Sequence, residues 1–171
     1  MPIVLLLLLL LLGGCEEKKI QKAPSKSAIQ PAPKHLIFQD KNQTLSLTIT
    51  KEKIHSNIKK PLVLYFFYTD WCPSCKAQMP ELERLYQRFK DDLFIVGVPL
   101  DRAHKRASFF CSQNFQANEA FAKIIYPKLQ AGANMPIPLL LLTKNDRYFI
   151  HYVGAVPYEI LQSDIERAKG E

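Results

Sequence analysis

The chain has 171 residues, 47% of them hydrophobic and 23% charged, with four cysteines and a net charge of +7. That length and apolar fraction allow one sizeable folded core. The lysines are scattered rather than gathered on one helix, so the charge excludes a nucleic-acid-binding reading and leaves only a mild preference for acidic partners or membrane surfaces.

Residues 1–14 read as an export signal. Ile3 to Leu12 is an unbroken apolar run, shorter than the ~20 residues a helix needs to span a bilayer. It ends Leu11-Leu12-Gly13-Gly14-Cys15. Small residues before a cysteine resemble a bacterial lipobox, in which Cys15 is lipidated and becomes the mature N-terminus. A hydrophobic anchor that is never cleaved is the alternative, and either one tethers the chain to a membrane. Residues 15–34 then form a flexible tether of Lys, Glu, Gln, Ser, Ala and Pro with almost nothing apolar to bury.

Residues 35–171 are expected to fold. His35 to Asp40, a polar turn, and Thr44 to Ile49 read as a β-hairpin. Lys51 to Lys60 reads as a polar connection, with a short helix as one option. Pro61 to Tyr68, aromatic and aliphatic without a polar break, has the pattern of a strand buried on both faces. Past Lys76 the period changes. Met79, Leu82, Leu85, Tyr86 and Phe89 recur at helical spacing. Cys72 and Cys75 therefore fall where a buried strand turns into a helix.

That position has chemical consequences. The first turn of a helix presents unpaired N–H groups and the positive end of a dipole, so a thiolate at Cys72 is stabilised. Cys75 lies three residues on, close enough to attack a mixed disulfide at Cys72. Pro73 suits the first helical position because its missing N–H would have had no partner there. Ser74 completes the loop between the cysteines.

Leu93 to Leu100 is a second buried strand, expected to run parallel to the first in a βαβ unit. Asp101 to Asn134 is long enough for two helices. One is suggested by Ala107, Phe109, Phe110 and Cys111, and another by Ala120, Phe121, Ile124 and Ile125, ending near Pro127. A strand over Leu139–Thr143, a turn at Lys144-Asn145-Asp146 and a strand over Tyr148–Val153 follow. A last helix runs from about Pro157 to Ala168, with Ile160, Leu161, Ile165 and Ala168 as its apolar face.

Trp71-Cys72-Pro73-Ser74-Cys75-Lys76 after a hydrophobic strand resembles the active site of the thioredoxin superfamily. Met135-Pro136-Ile137-Pro138-Leu139-Leu140-Leu141-Leu142 is similar to the segment that carries the cis-proline in thioredoxins, with Pro138 at that position. Pro80 matches the proline that kinks the family's active-site helix. The N-terminal hairpin resembles the exported, membrane-tethered TlpA/ResA/CcmG branch. The resemblance implies an α/β, thioredoxin-like fold, with a central mixed β-sheet flanked by helices, an N-terminal β-hairpin and a helical insertion before the cis-proline. It implies Cys72 as the attacking thiolate and Cys75 as the resolving thiol. Trp71 then packs beside Cys72 and walls the site, with simple core packing as a plainer and compatible reading, and Ile137 pairs with a substrate strand beside Pro138. Many thioredoxins place a buried Asp six residues before the first cysteine. Phe66 stands there in this chain, so a proton relay is left to Lys76, Glu81 or water.

The cysteines also have plainer readings. A static disulfide across so short a loop adds little stability. A metal site needs two more ligands, and no second CxxC or His pair is near, so no metal is expected. Cys111, in an apolar setting, is a buried inert thiol or else a regulatory one. His35, His55, His104 and His151 are scattered and read as structural or surface residues.

The expected function is an extracytoplasmic thiol–disulfide oxidoreductase, monomeric, lipid-anchored and without a bound cofactor. It is read as a reductase of particular protein disulfides, for example in apocytochrome c or metal-site cysteines, fed by a membrane thiol–disulfide donor. Its domain would face the periplasm or cell exterior. A disulfide oxidase or isomerase is the first alternative. A metallochaperone or binding lipoprotein is the alternative of another class, although Sco-type copper carriers use CxxxC and a distal His.

Overall fold

The computed structural model describes residues 32–39, 44–101, 115–131 and 134–170. The export signal, Cys15, most of the tether, the hairpin turn, His104 and the first inserted helix with Cys111 lie outside them.

Two strands, β1 (Lys34–Gln39) and β2 (Thr44–Ile49), form the expected antiparallel hairpin, with Leu36 opposite Leu47 and Phe38 opposite Leu45. Every second residue of β2, namely Leu45, Leu47 and Ile49, turns inward, as a half-buried strand requires. The polar connection expected over Lys51–Lys60 is instead built round a third strand, β3 (Ile54–Ser56), paired antiparallel to β2. Three residues flanked by lysines carry too few positions for alternation to show. Long-range partners set this strand, since the Ile54 N–H donates to the Asp146 carbonyl at 2.8 Å and His55 Nδ1 lies 2.5 Å from Asp146 Oδ2.

The second sheet has the order β5-β4-β6-β7. Strand β4 (Leu62–Tyr68) is parallel to β5 (Leu93–Pro99) and antiparallel to β6 (Leu139–Lys144), which pairs antiparallel with β7 (Arg147–Val153). All seven residues of β4 are buried. Successive side chains of a strand point to opposite faces, and β4 divides its side chains between two cores accordingly. Val63, Tyr65 and Phe67 join the hairpin and helix α2 (Phe115–Leu129). Leu62, Leu64, Phe66 and Tyr68 join helices α1 (Pro73–Phe89) and α3 (Tyr158–Gly170). This is the mixed sheet flanked by helices expected of a thioredoxin-like fold. The β6–β7 connection is a two-residue turn at Asn145 and Asp146, both at positive φ (48° and 67°), which these short polar residues tolerate.

Helix α3 buries Leu161, Ile165 and Ala168 as expected, but Ile160 is 50% exposed. One residue step turns a helix by about 100°, which carries Ile160 off the stripe that its neighbour Leu161 occupies. Helix α2 continues two residues past Pro127 to Leu129 and is closed by Gln130, whose φ is 53°, and by the 3.2 Å bond from the Ala131 N–H to the Tyr126 carbonyl.

Candidate active site

The segment between β4 and α1 is held from three sides. The Leu100 N–H donates to the Tyr68 carbonyl at 2.8 Å, the Asp70 N–H to Asp101 Oδ2 at 2.9 Å and the Cys72 N–H to the Thr69 carbonyl at 3.4 Å. These bonds place Cys72 as the N-cap of α1, with φ −79° and ψ 114°, and Pro73 opens the helix. Cys72 and Cys75 are joined by a disulfide with Cα atoms 5.2 Å apart, within the ordinary range. The Cys75 N–H points at Cys72 Sγ from 3.1 Å, and Ser74 Oγ lies 3.2 Å from the same sulfur. When Cys72 is a thiolate both groups can donate to it, adding to the dipole of α1. Ser74 thus has a more direct contact with the sulfur than its place in the sequence indicates.

Both cysteines are buried, Cys75 at 0% exposed and Cys72 at 4%, so the little exposure the pair has belongs to Cys72. Trp71 is 70% exposed, which rules out the core-packing reading and leaves its indole on the surface beside Cys72.

The loop across from α1 carries the other expected residues. The Ile137–Pro138 peptide bond is cis, Pro138 is buried, and Ile137 packs against the cluster that contains both cysteines. Met135 has a φ of 46°. The Tyr126 hydroxyl donates to the Pro136 carbonyl at 3.0 Å, and the Gly154 N–H donates to the Pro138 carbonyl at 2.8 Å. Between these anchors the amide and carbonyl of Ile137 make no hydrogen bond among the described residues.

Gln78 is the polar residue that the sequence reading passed over. It is 1% exposed, on the face of α1 shared by Cys75, Leu82, Leu85 and Phe89, whereas Met79 is only half-buried. Its side-chain amide donates to the Val156 carbonyl at 3.1 Å and accepts from the Val156 N–H at 2.6 Å. A polar residue three positions after a buried cysteine was the available signal, but its partner lies 78 residues away. Gly154, in the same loop, has a φ of 91°, a conformation natural to glycine.

Phe66, at the position of the thioredoxin carboxylate, is buried and stacks on Tyr68 with centroids 4.9 Å apart and planes 7° off parallel. Of the relay candidates, Lys76 is exposed and Glu81 pairs with Arg84 at 2.9 Å. His35 bonds Thr48, His55 bonds Asp146 and His151 bonds the Tyr148 hydroxyl, all away from the cysteines in sequence. Among the described residues, no three His, Cys, Asp or Glu side chains are grouped to hold a metal ion.

Comparison with known proteins agrees with this geometry. The profile of the AhpC/TSA family matches residues 30–141. Thioredoxin 1 of Chlorobaculum tepidum is 26% identical over 104 residues, 61% of this chain and 81% of that protein. Sporulation thiol-disulfide oxidoreductase A of Bacillus subtilis is 26% identical over 129 residues, 73% of this chain and 68% of that protein. Thioredoxin 2 of Plasmodium berghei is 36% identical over 45 residues, only 26% of this chain and 29% of that protein.

Proposed function

The chain belongs to the AhpC/TSA family and carries the close cysteine pair of a thioredoxin-like thiol–disulfide oxidoreductase; on that premise we propose that it is a membrane-tethered, extracytoplasmic reductase of particular protein disulfides. The observation that carries the reading is the Cys72–Cys75 disulfide at the N-terminus of α1, with Cys75 fully enclosed and Cys72 nearly so, next in the chain to the exposed Trp71.

In the reduced enzyme the Cys72 thiolate attacks one sulfur of a substrate disulfide. A mixed disulfide forms, and the other substrate sulfur leaves as a thiolate. Cys75 then loses its proton to solvent and attacks Cys72 Sγ. The mixed disulfide breaks, the second substrate sulfur leaves, and the Cys72–Cys75 disulfide remains. Two electrons have passed to the substrate, and a membrane dithiol donor returns them by the reverse exchange. The substrate chain lies along Ile137 beside Pro138, whose neighbouring backbone groups are open for strand pairing.

The direction of transfer follows the resemblance to the exported TlpA/ResA/CcmG branch, in which apocytochrome c and metal-site cysteines are the fitting substrates. The apolar run before Cys15 supports a lipid anchor. Incorporation of labelled fatty acid into the wild type but not into Cys15→Ala tests that anchor. For the chemistry, Cys75→Ser is expected to accumulate disulfide-linked adducts through Cys72, and Cys72→Ser none. Failure of Cys75→Ser to capture any protein from cells whose wild-type enzyme turns over disulfides would overturn the assignment of roles.

A further inference from the structure

We propose that Tyr126 is a positioning residue that sets how the loop before Pro138 receives a substrate strand. The inference rests on the reading above, in which protein disulfides dock along Ile137.

Tyr126 sits on α2, a helix that contributes no residue to the cysteine pair. Its ring is fully buried and meets Phe67 of β4 edge-on, with centroids 5.7 Å apart. Its hydroxyl crosses to the loop and donates to the Pro136 carbonyl at 3.0 Å. Burial pushes the phenol well above its usual ionisation range, so the group stays a donor at any physiological pH.

The loop needs such a hold. Met135 takes a φ of 46°, a region that residues with a side chain seldom occupy. Pro136 and Pro138 lack N–H groups, so neither can anchor the loop by donating. The fixed points are therefore carbonyls, Pro136 held by Tyr126 and Pro138 held by the Gly154 N–H. Ile137 lies between them with its own amide and carbonyl open. Gly154 N–H is a main-chain donor that follows β7. Tyr126 is a side-chain donor, so the sequence of α2 sets one end of the docking strand.

The test is Tyr126→Phe, which keeps the ring against Phe67 and removes only the hydroxyl. Steady-state reduction is measured with insulin, whose disulfides lie in peptide chains, and with bis(2-hydroxyethyl) disulfide, which has no backbone to pair. For insulin, KM is expected to rise about 3- to 10-fold with kcat within about twofold, as fits the loss of one hydrogen bond that orders the docked strand. The small disulfide is expected to react within about twofold of the wild-type rate, with an unchanged midpoint of the cysteine couple. Thermal unfolding of the variant confirms that it is folded. If it is unfolded at the assay temperature, both assays are repeated below its unfolding midpoint, with the same split between the two substrates expected. An insulin KM within twofold of wild type overturns the proposal, and so does an equal slowing of both substrates. A wild type that reduces neither substrate overturns the functional reading itself, and this proposal with it.

Discussion

Removing the side-chain amide of Gln78 is the most informative change near the cysteines. Gln78→Leu keeps the size of the side chain but deletes both bonds to Val156, at 3.1 and 2.6 Å. The Val156 N–H and carbonyl lose their partners in a half-buried loop. Each orphaned group costs about 1–3 kcal/mol, partly offset by the extra apolar contact and by water reaching the loop. The net loss is about 2–4 kcal/mol. For a domain of this size, that lowers Tm by roughly 6–15 °C. Gln78→Glu sharpens the test. A protonated carboxyl can accept from the Val156 N–H and donate to its carbonyl, whereas the ionised form cannot donate and buries a charge. Its folded-state ionisation therefore moves above the ordinary ~4.3. The resulting stability is present below that value and lost as pH rises toward 7. Thermal unfolding by circular dichroism from pH 4 to 8 reads both variants. A Tm for Gln78→Leu within about 2 °C of the parent, or a flat pH profile for Gln78→Glu relative to the parent, would refute this account of the brace.

Trp71→Ala should cost less than about 0.5 kcal/mol, because the side chain is 70% exposed, yet slow the reduction of insulin. Equal unfolding midpoints with unequal turnover check this. Phe121→Ala should lose about 3–5 kcal/mol, since its ring contacts Phe38, Tyr65 and Phe67 at centroid distances of 5.8, 5.3 and 5.1 Å. In urea the midpoint should fall with little change in slope. Burial raises the phenols of Tyr126 and Tyr152, the latter helped by Asp164. Their contribution to stability is whole below about pH 10, where an unfolded tyrosine begins to ionise, and is lost as pH rises beyond it. Alkaline unfolding should accordingly be flatter in Tyr152→Phe.

The parts of the fold that sequence reading recovers are those whose signal is local. Seven apolar residues in a row from Leu62 to Tyr68 mark a strand buried on both faces, and the change to helical spacing beyond it marks where the cysteines sit. Pro138 was legible through its resemblance to a known segment, and its peptide bond is cis. What stayed hidden depends on partners distant in the chain. Strand β3 exists because β2 and Asp146 pair with it. Gln78 looks like a surface residue until Val156 is brought against it, and Tyr126 looks like core until its hydroxyl meets Pro136. Ile160 misled in the opposite sense, since an apolar residue next to the buried stripe carries no local mark of which side it takes.

The central claim, electron flow toward substrate disulfides, is tested most directly by the midpoint potential of the Cys72–Cys75 couple, equilibrated against graded thiol–disulfide buffers. The expected value is near that of thioredoxin, about −270 mV, low enough for the dithiol to reduce other proteins. A value near about −120 mV, at the strongly oxidising end, would contradict a reductase and make this protein a donor of disulfides.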